Sequence, residues 1–333
     1  MNIDKKDFRN KHIRKYITDK EKNGDNDYSE LQEFLYSLLT IFTASTTGVH
    51  LYELLQQDWN IFMSVDACKK VIEEVIQSDA GNFAKDGIKN GASLVVYKKN
   101  ITDCIEAWKT LKEDVKYHHR FTTDINKLNA AGWKTLLDNR YELNSGKSFY
   151  RARIHYKKTD VFGKEDMGAR ERGDCPQGRV NPEGIPFLYL CEEPKTTFYE
   201  TRVSMHDVVS IGEFVINGSD SLYVEDLTDI NLDEIEILDE DVVTLAKRKL
   251  LIRTLSNDMS RPMRRYDSPI EYVPTQFLCE YVQQTQNVSG IRFSSSIYKK
   301  GTNLVIFDPA LMRCIDVKEY TVKSLDISEE VVD

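Results

Sequence analysis

The sequence predicts an α+β protein built in two parts, a helical first part and a mixed second part. Two observations predict it. Up to about residue 145, apolar residues recur at three- and four-residue steps, the helical period. Beyond a turn-rich NSGKS at 144–148, short period-two runs and short helical runs mix without strict alternation. At 333 residues the chain is long enough for about two domains. They are expected at 1–145 and 146–333.

Taken in order, residues up to about 29 read as a mobile polar arm ending in NGDND. Leu31, Phe34, Leu35, Leu38, Leu39 and Phe42 then mark an amphipathic helix. Leu51, Leu54, Leu55 and Phe62 mark a second. Val71, Ile72, Val75 and Ile76 mark a third, with Ser64 or Asp66 placed to cap it. Ile105, Trp108, Leu111 and Val115 make a fourth, and Ile125, Leu128, Trp133, Leu136 and Leu137 a weaker fifth. SLVVYK at 93–98 is the exception, a strand signal.

In the second part, FYRARIHY at 149–156 alternates. Tyr150, Ala152, Ile154 and Tyr156 share one face of a strand, and Arg151 and Arg153 share the other. Further strands are expected at 187–191, 208–216, 221–227, 290–294 and 303–307. Pro194 suits the first turn of a helix that carries Phe198 and Glu200. Helices are expected at 242–255 and 275–284. The acidic stretch between Glu225 and Asp241 reads as a solvated surface loop.

Composition narrows the function. A net charge of −9 argues against an overall basic surface for nucleic acid. The N-terminus is basic but lacks the apolar core of a signal peptide, and no apolar run is long enough to span a bilayer. The six cysteines are scattered without a CxxC pair, which reads as reduced thiols in the cytoplasm. There is no HxxxH pair, and the adjacent His118 and His119 would diverge on a helix. A metal site is not expected.

The chemistry concentrates at 174–200, DCPQGRVNPEGIPFLYLCEEPKTTFYE. A loop rich in Gly, Pro and Asn lets backbone approach a ligand closely. Arg179 offers a planar fork for a phosphate, Tyr189 a ring face, and Glu200 a negative charge. Singly, each has a bland reading: a surface charge, a core aromatic, a solvated helix glutamate.

Several blocks, in order, change those odds. FYRAR at 149–153, GRVNPEGIPFLYL at 178–190, TTFYE at 196–200, PTQFLCEYV at 274–282, GIRFSSS at 290–296 and NLVIFD at 303–308 together resemble the RES-domain family. WKTLKEDVKYHHRF at 108–121 resembles the HEPN-like domain that precedes some RES domains. HEPN ribonucleases leave four to six residues between an arginine and the histidine that follows it, and no arginine here has a histidine at that spacing. The first part is therefore expected to serve as a scaffold or partner-binding domain.

The RES resemblance implies a fold like that of ADP-ribosyltransferases and an enzyme that consumes NAD+ by hydrolysis or phosphorolysis. NAD+ enters as substrate, with phosphate as a co-substrate in the second case and no resident cofactor. It also implies a toxin of a toxin–antitoxin pair or a defence effector, held in check by a protein antitoxin or regulator. A homo-oligomer is left open, and neither direct nucleic-acid nor membrane binding is expected. By motif, the family's glutamate falls on Glu200, its arginine on Arg179, its tyrosine on Tyr189 and its serine on Ser294 or Ser295, of which Ser295 is taken as catalytic. Arg151 matches another family position, and Arg151, Tyr150, Asn181 and Ser294 are expected to bind substrate. Two other functions compete. One is an ADP-ribosyltransferase that modifies a macromolecule; the other is a non-catalytic module that senses a nucleotide or binds a partner.

Overall fold

The structure, a computed structural model, describes residues 3–157, 159–228, 230–233, 235–262 and 268–325. The chain forms two compact units, Met1–Glu106 with Ile230–Leu251 and Ala107–Asp229 with Ile252–Asp333.

In the first unit, α1 (Lys11–Lys22) begins where Asn10 Oδ1 accepts from the backbone N–H groups of His12 and Ile13. Phe8, Ile13 and Ile17 are wholly buried. The expected mobile arm is therefore a capped helix; three apolar anchors set among many charges were enough to fix it. α2 (Ser29–Thr40) buries the predicted leucines and Phe34. β1 (Phe42–His50) pairs antiparallel with β2 (Leu94–Tyr97). β1 carries three threonines and a valine, side chains that suit a pleated surface. α3 (Leu51–Leu54) runs into a π-type turn at Leu55–Trp59. Of the two cap candidates it is Ser64 that closes α4 (Val65–Ser78), accepting from Ala67 N–H. α5 (Ala80–Lys85) and α6 (Lys99–Tyr117) follow.

The acidic stretch is not the solvated loop expected. Ile230, Leu232 and Ile237 are buried, and the Leu232 carbonyl accepts from Asn10 Nδ2 at 2.8 Å. Glu225 lies inside a strand with no exposed surface. Asp229 and Glu234 fall outside the described residues, as does 326–333 at the end of the expected second domain.

The second unit opens with α6 from Ala107 onward, followed by α7 (Asn126–Ala130) and α8 (Trp133–Leu136). The Trp108 and Trp133 rings sit 5.6 Å apart, and Trp108 Nε1 donates to Asp258 at 2.6 Å. Its sheet contains β3 (Arg140–Leu143), β4 (Phe149–Ile154), β5 (Leu188–Cys191), β6 (Val208–Ile216), β7 (Leu222–Asp226), β8 (Gly290–Ser294), β9 (Thr302–Ile306) and β10 (Met312–Thr321). Its helices are α9 (Pro194–Glu200), α10 (Val242–Met259) and α11 (Val273–Thr285). α10 continues past 251 from the first unit's residues. The eight strands lie in the order β10-β6-β4-β5-β9-β8-β7-β3, and only β7 and β8 pair in parallel. β3 pairs with β7 through four residues. Residues 107–145 thus belong with the sheet, whereas the sequence reading keeps them with the helices.

One face of the sheet buries Phe149, Leu188, Leu190, Phe214, Leu304 and Ile306 in the main core. On the other, Tyr150, Ala152 and Ile154 pack against Val209 and Ile211, the alternation read from the sequence as far as Ile154, where β4 ends; Tyr156, expected on the same face, is exposed. The mixed helix-and-sheet character read from the sequence is what the structure has.

Candidate functional site

β4 and β5 share a single register pair, Tyr150 with Cys191. Elsewhere the two strands part, and a cavity of about 560 Å³ opens beside them. Tyr150, Arg151 and Ala152 line it from β4, and Tyr189, Leu190 and Cys191 from β5. Consecutive strand residues face opposite ways, so three in a row from each strand place the opening between the strands, not on one face. Its size is ordinary for a ligand site.

α9 supplies the acid. Pro194 occupies its first turn, where no backbone donor is needed. Thr197, Glu200 and Thr201 lie three and four residues apart and therefore share the face that lines the cavity. Glu200 Oε1 accepts from Ser295 Oγ at 2.6 Å and from Asn303 Nδ2 at 2.8 Å. Arg202, just beyond the helix, takes a left-handed backbone (φ 52°) and also lines the cavity. A non-glycine residue held there costs on the order of 1 kcal/mol.

The GRVN loop supplies Arg179. Asn181, 1% exposed, donates to the carbonyls of Pro176, Pro182 and Ile185, all at 3.1 Å. Its Oδ1 accepts from the Tyr189 hydroxyl at 2.6 Å, and that hydroxyl accepts from Val180 N–H. Gly178 is required at its place, since a Cβ would come within 2.5 Å of Asn181 Oδ1 and the Tyr189 oxygen. From α11, Gln276 Nε2 donates to the carbonyls of Gly178 and Asn181, and Thr275 Oγ1 donates to that of Arg179. The loop is thereby tied on every side, and Arg179 is held with its guanidinium 5.7 Å from the Tyr272 ring centre.

The electrostatics are one-sided. Burial pushes Arg151 down to about 10, and the neighbouring charges of Arg153 and Arg170 push the same way. Its Nη1 is enclosed with no hydrogen-bond partner, and Arg153 Nε is in the same state. Arg179 is also lowered by burial, with Tyr272 and Glu200 acting against the shift. Burial raises the Tyr189 phenol and the Cys191 thiol above their ordinary values. Glu200 is the single carboxylate among the lining residues, set against Arg151, Arg179 and Arg202.

Of the residues singled out in the sequence, Glu200, Arg179, Tyr189, Arg151 and Tyr150 line the cavity. Ser295, 7% exposed, stands behind Glu200, and Ser296 is the serine on the wall. Asn181 spends its side chain inside the loop. Ser294 is paired in β8, where its carbonyl accepts from Ser260 Oγ. The lining also includes Arg202, Pro269, Tyr272 and Asn303, which the sequence reading passed over. Asn303 lay within a recognised block but read only as the start of a strand. Nothing in the linear sequence marks Arg202 or Tyr272.

A split mixed sheet, with arginines and one carboxylate facing into the split, offers cationic groups of the kind that suit phosphate or carboxylate ligands. The family model of the RES domain matches residues 148–326, more than half of the chain, and the chain belongs to the RES-domain family. The family is associated with NAD+-processing enzymes and toxin-like proteins. No curated protein and no solved structure matches the chain. Among the described residues no helix is long and apolar enough to cross a membrane.

Proposed function

We propose that the protein cleaves the bond between nicotinamide and ribose in NAD+, passing the ADP-ribosyl group to phosphate or water. One observation carries this reading: Arg151 and Arg179 share a cavity with a lone carboxylate, Glu200, and among the described residues no carboxylate pairs with Arg151, whose Nη1 is enclosed without a partner. An arginine cannot shed its proton at working pH, so a buried one calls for an anionic ligand. The pyrophosphate of a dinucleotide supplies two negative charges.

The chemistry needs little more. The nicotinamide nitrogen of NAD+ carries a formal positive charge and leaves neutral, so the leaving group requires no general acid. As the C1′–N bond lengthens, positive charge gathers on the ribose, and a fixed carboxylate is stabilising where that charge develops. One carboxylate then suffices where ordinary glycosidases use two. Arg151 and Arg179 fix the phosphates and so orient the sugar. Tyr189 holds the GRVN loop through its hydroxyl, and this is its role in place of open stacking.

Such an activity drains a cell of NAD+. Together with the family's association with toxin-like proteins, that supports a growth-arrest or defence effector kept in check by a protein partner. The test is to incubate the purified full chain with NAD+, with and without phosphate. Release of nicotinamide is expected. ADP-ribose 1″-phosphate identifies phosphorolysis and ADP-ribose hydrolysis, while label transferred to a macromolecule identifies a transferase. Intact NAD+ in every arm contradicts the reading.

A further inference from the structure

We propose that Asn303 is a positioning residue that selects which oxygen of Glu200 meets the ribose. The inference rests on the reading just given and goes beyond it. Both hydrogen bonds to the Glu200 side chain, from Ser295 Oγ and from Asn303 Nδ2, end on Oε1. Among the described residues Oε2 receives none. A carboxylate whose one oxygen is held by two donors cannot swing, and it turns the other oxygen toward whatever enters the cavity.

Each donor is itself held in one direction. Ser295 Oγ accepts from the backbone N–H groups of Ile297 and Tyr298, which leaves its own proton for Glu200. Asn303 is the cross-strand partner of Cys191 in the β5–β9 register and of Phe293 in the β8–β9 register. Its Oδ1 accepts from Cys191 Sγ at 3.4 Å, while its Nδ2 faces the acid. Turning the amide over would set Oδ1 against a group that can only accept. The sheet register thus reaches the reacting centre through one amide: β5 orients Asn303, and Asn303 orients Glu200.

The role separates from packing by an isostere. Asn303→Asp keeps the shape and removes the donor, placing a second carboxyl against Glu200. Asn303→Ala removes both shape and donor. Kinetics of NAD+ cleavage are measured on the full chain, wild type and both variants, with thermal unfolding alongside. The expectation for Asn303→Ala is a loss of kcat of about tenfold to a hundredfold, from one hydrogen bond to a charged group, with KM within about twofold. Asn303→Asp is expected to lose more than Asn303→Ala, because two carboxyls now oppose one another. If Asn303→Ala does not fold, the comparison of Asn303→Asp with wild type decides the matter. Wild-type kcat in Asn303→Asp, or a loss expressed in KM alone, overturns the proposal and leaves the cleavage reading standing. An inert wild-type protein removes both.

Discussion

Two mostly buried arginines in the same sheet are treated in opposite ways. Arg292 on β8 donates from Nε to Glu192 Oε1 at 2.8 Å and from Nη1 to Asp226 Oδ2 at 2.6 Å, with Tyr141 beneath it at 4.4 Å. Burial works to lower it, but Glu192 and Asp226 together hold it above its ordinary value. Arg151 on β4 is lowered by burial as well, and has two further arginines for neighbours and an orphaned Nη1. The first cation is answered by the chain; the second has no carboxylate partner among the described residues. Glu225 on β7 sharpens the contrast. It too is buried, with Oε2 unpartnered, but an acid can take up a proton and become neutral where an arginine cannot. An orphaned polar group therefore points to a ligand when its charge is permanent and a cavity lies in front of it.

The comparison can be broken in several places. The largest expected effect on stability is Arg292→Met, which takes their shared cation from the mostly buried Glu192 and Asp226 and leaves Glu192 with Lys147 alone. Denaturant unfolding should show a loss of about 3–5 kcal/mol. Arg151→Met should instead leave stability level or raise it. Equal losses in the two variants would erase the distinction drawn between them. Next comes Glu200→Gln, which should lower kcat by about 10²–10³, roughly 3–4 kcal/mol on the barrier, with an unchanged unfolding midpoint. Tyr189→Phe keeps the ring but leaves Asn181 Oδ1 without its donor. It should cost about 1–3 kcal/mol of stability, and wild-type stability would favour a stacking role for the ring.

The smallest effect is at Glu225 and depends on pH. Burial holds its carboxyl well above the ordinary value of 4.5, and the nearby Asp138 and Asp226 add to the shift. The folded state thus keeps a proton that the unfolded chain gives up. Its contribution is full below about 4.5 and is lost as pH rises toward the folded value. Glu225→Gln should flatten this fall, so that the variant gains on wild type between acid and neutral pH. Parallel stability curves for the two proteins would contradict it.

Much of the second unit was legible because its strands alternate and its helix starts are marked. Pro194 opens α9, and Tyr150, Ala152 and Ile154 declare the faces of β4. What was hidden has a physical cause in each case. Ile13 and Ile17 are too few among charges to give α1 a pattern against its polar surroundings. Edge strand β10, of sequence MRCIDVKEYT, has a mostly polar surface and little periodic signal. Glu225 sits in an acidic run that reads as solvated, yet β3 and β8 cover it on both sides. At the site, the residue types were readable and their partnerships were not. The bond from Tyr189 to Asn181 depends on a loop folding back, and the bond from Asn303 to Glu200 depends on sheet register.

The central claim is that the charge of Arg151 is reserved for the phosphates of a dinucleotide. It is tested most directly by NAD+ binding to the full chain carrying Glu200→Gln, which holds substrate without consuming it, compared with the same protein also carrying Arg151→Met. The account predicts that NAD+ raises the unfolding midpoint of the first protein in a concentration-dependent way and that most of this gain disappears in the second. Equal gains in both proteins, or none in either, would contradict it.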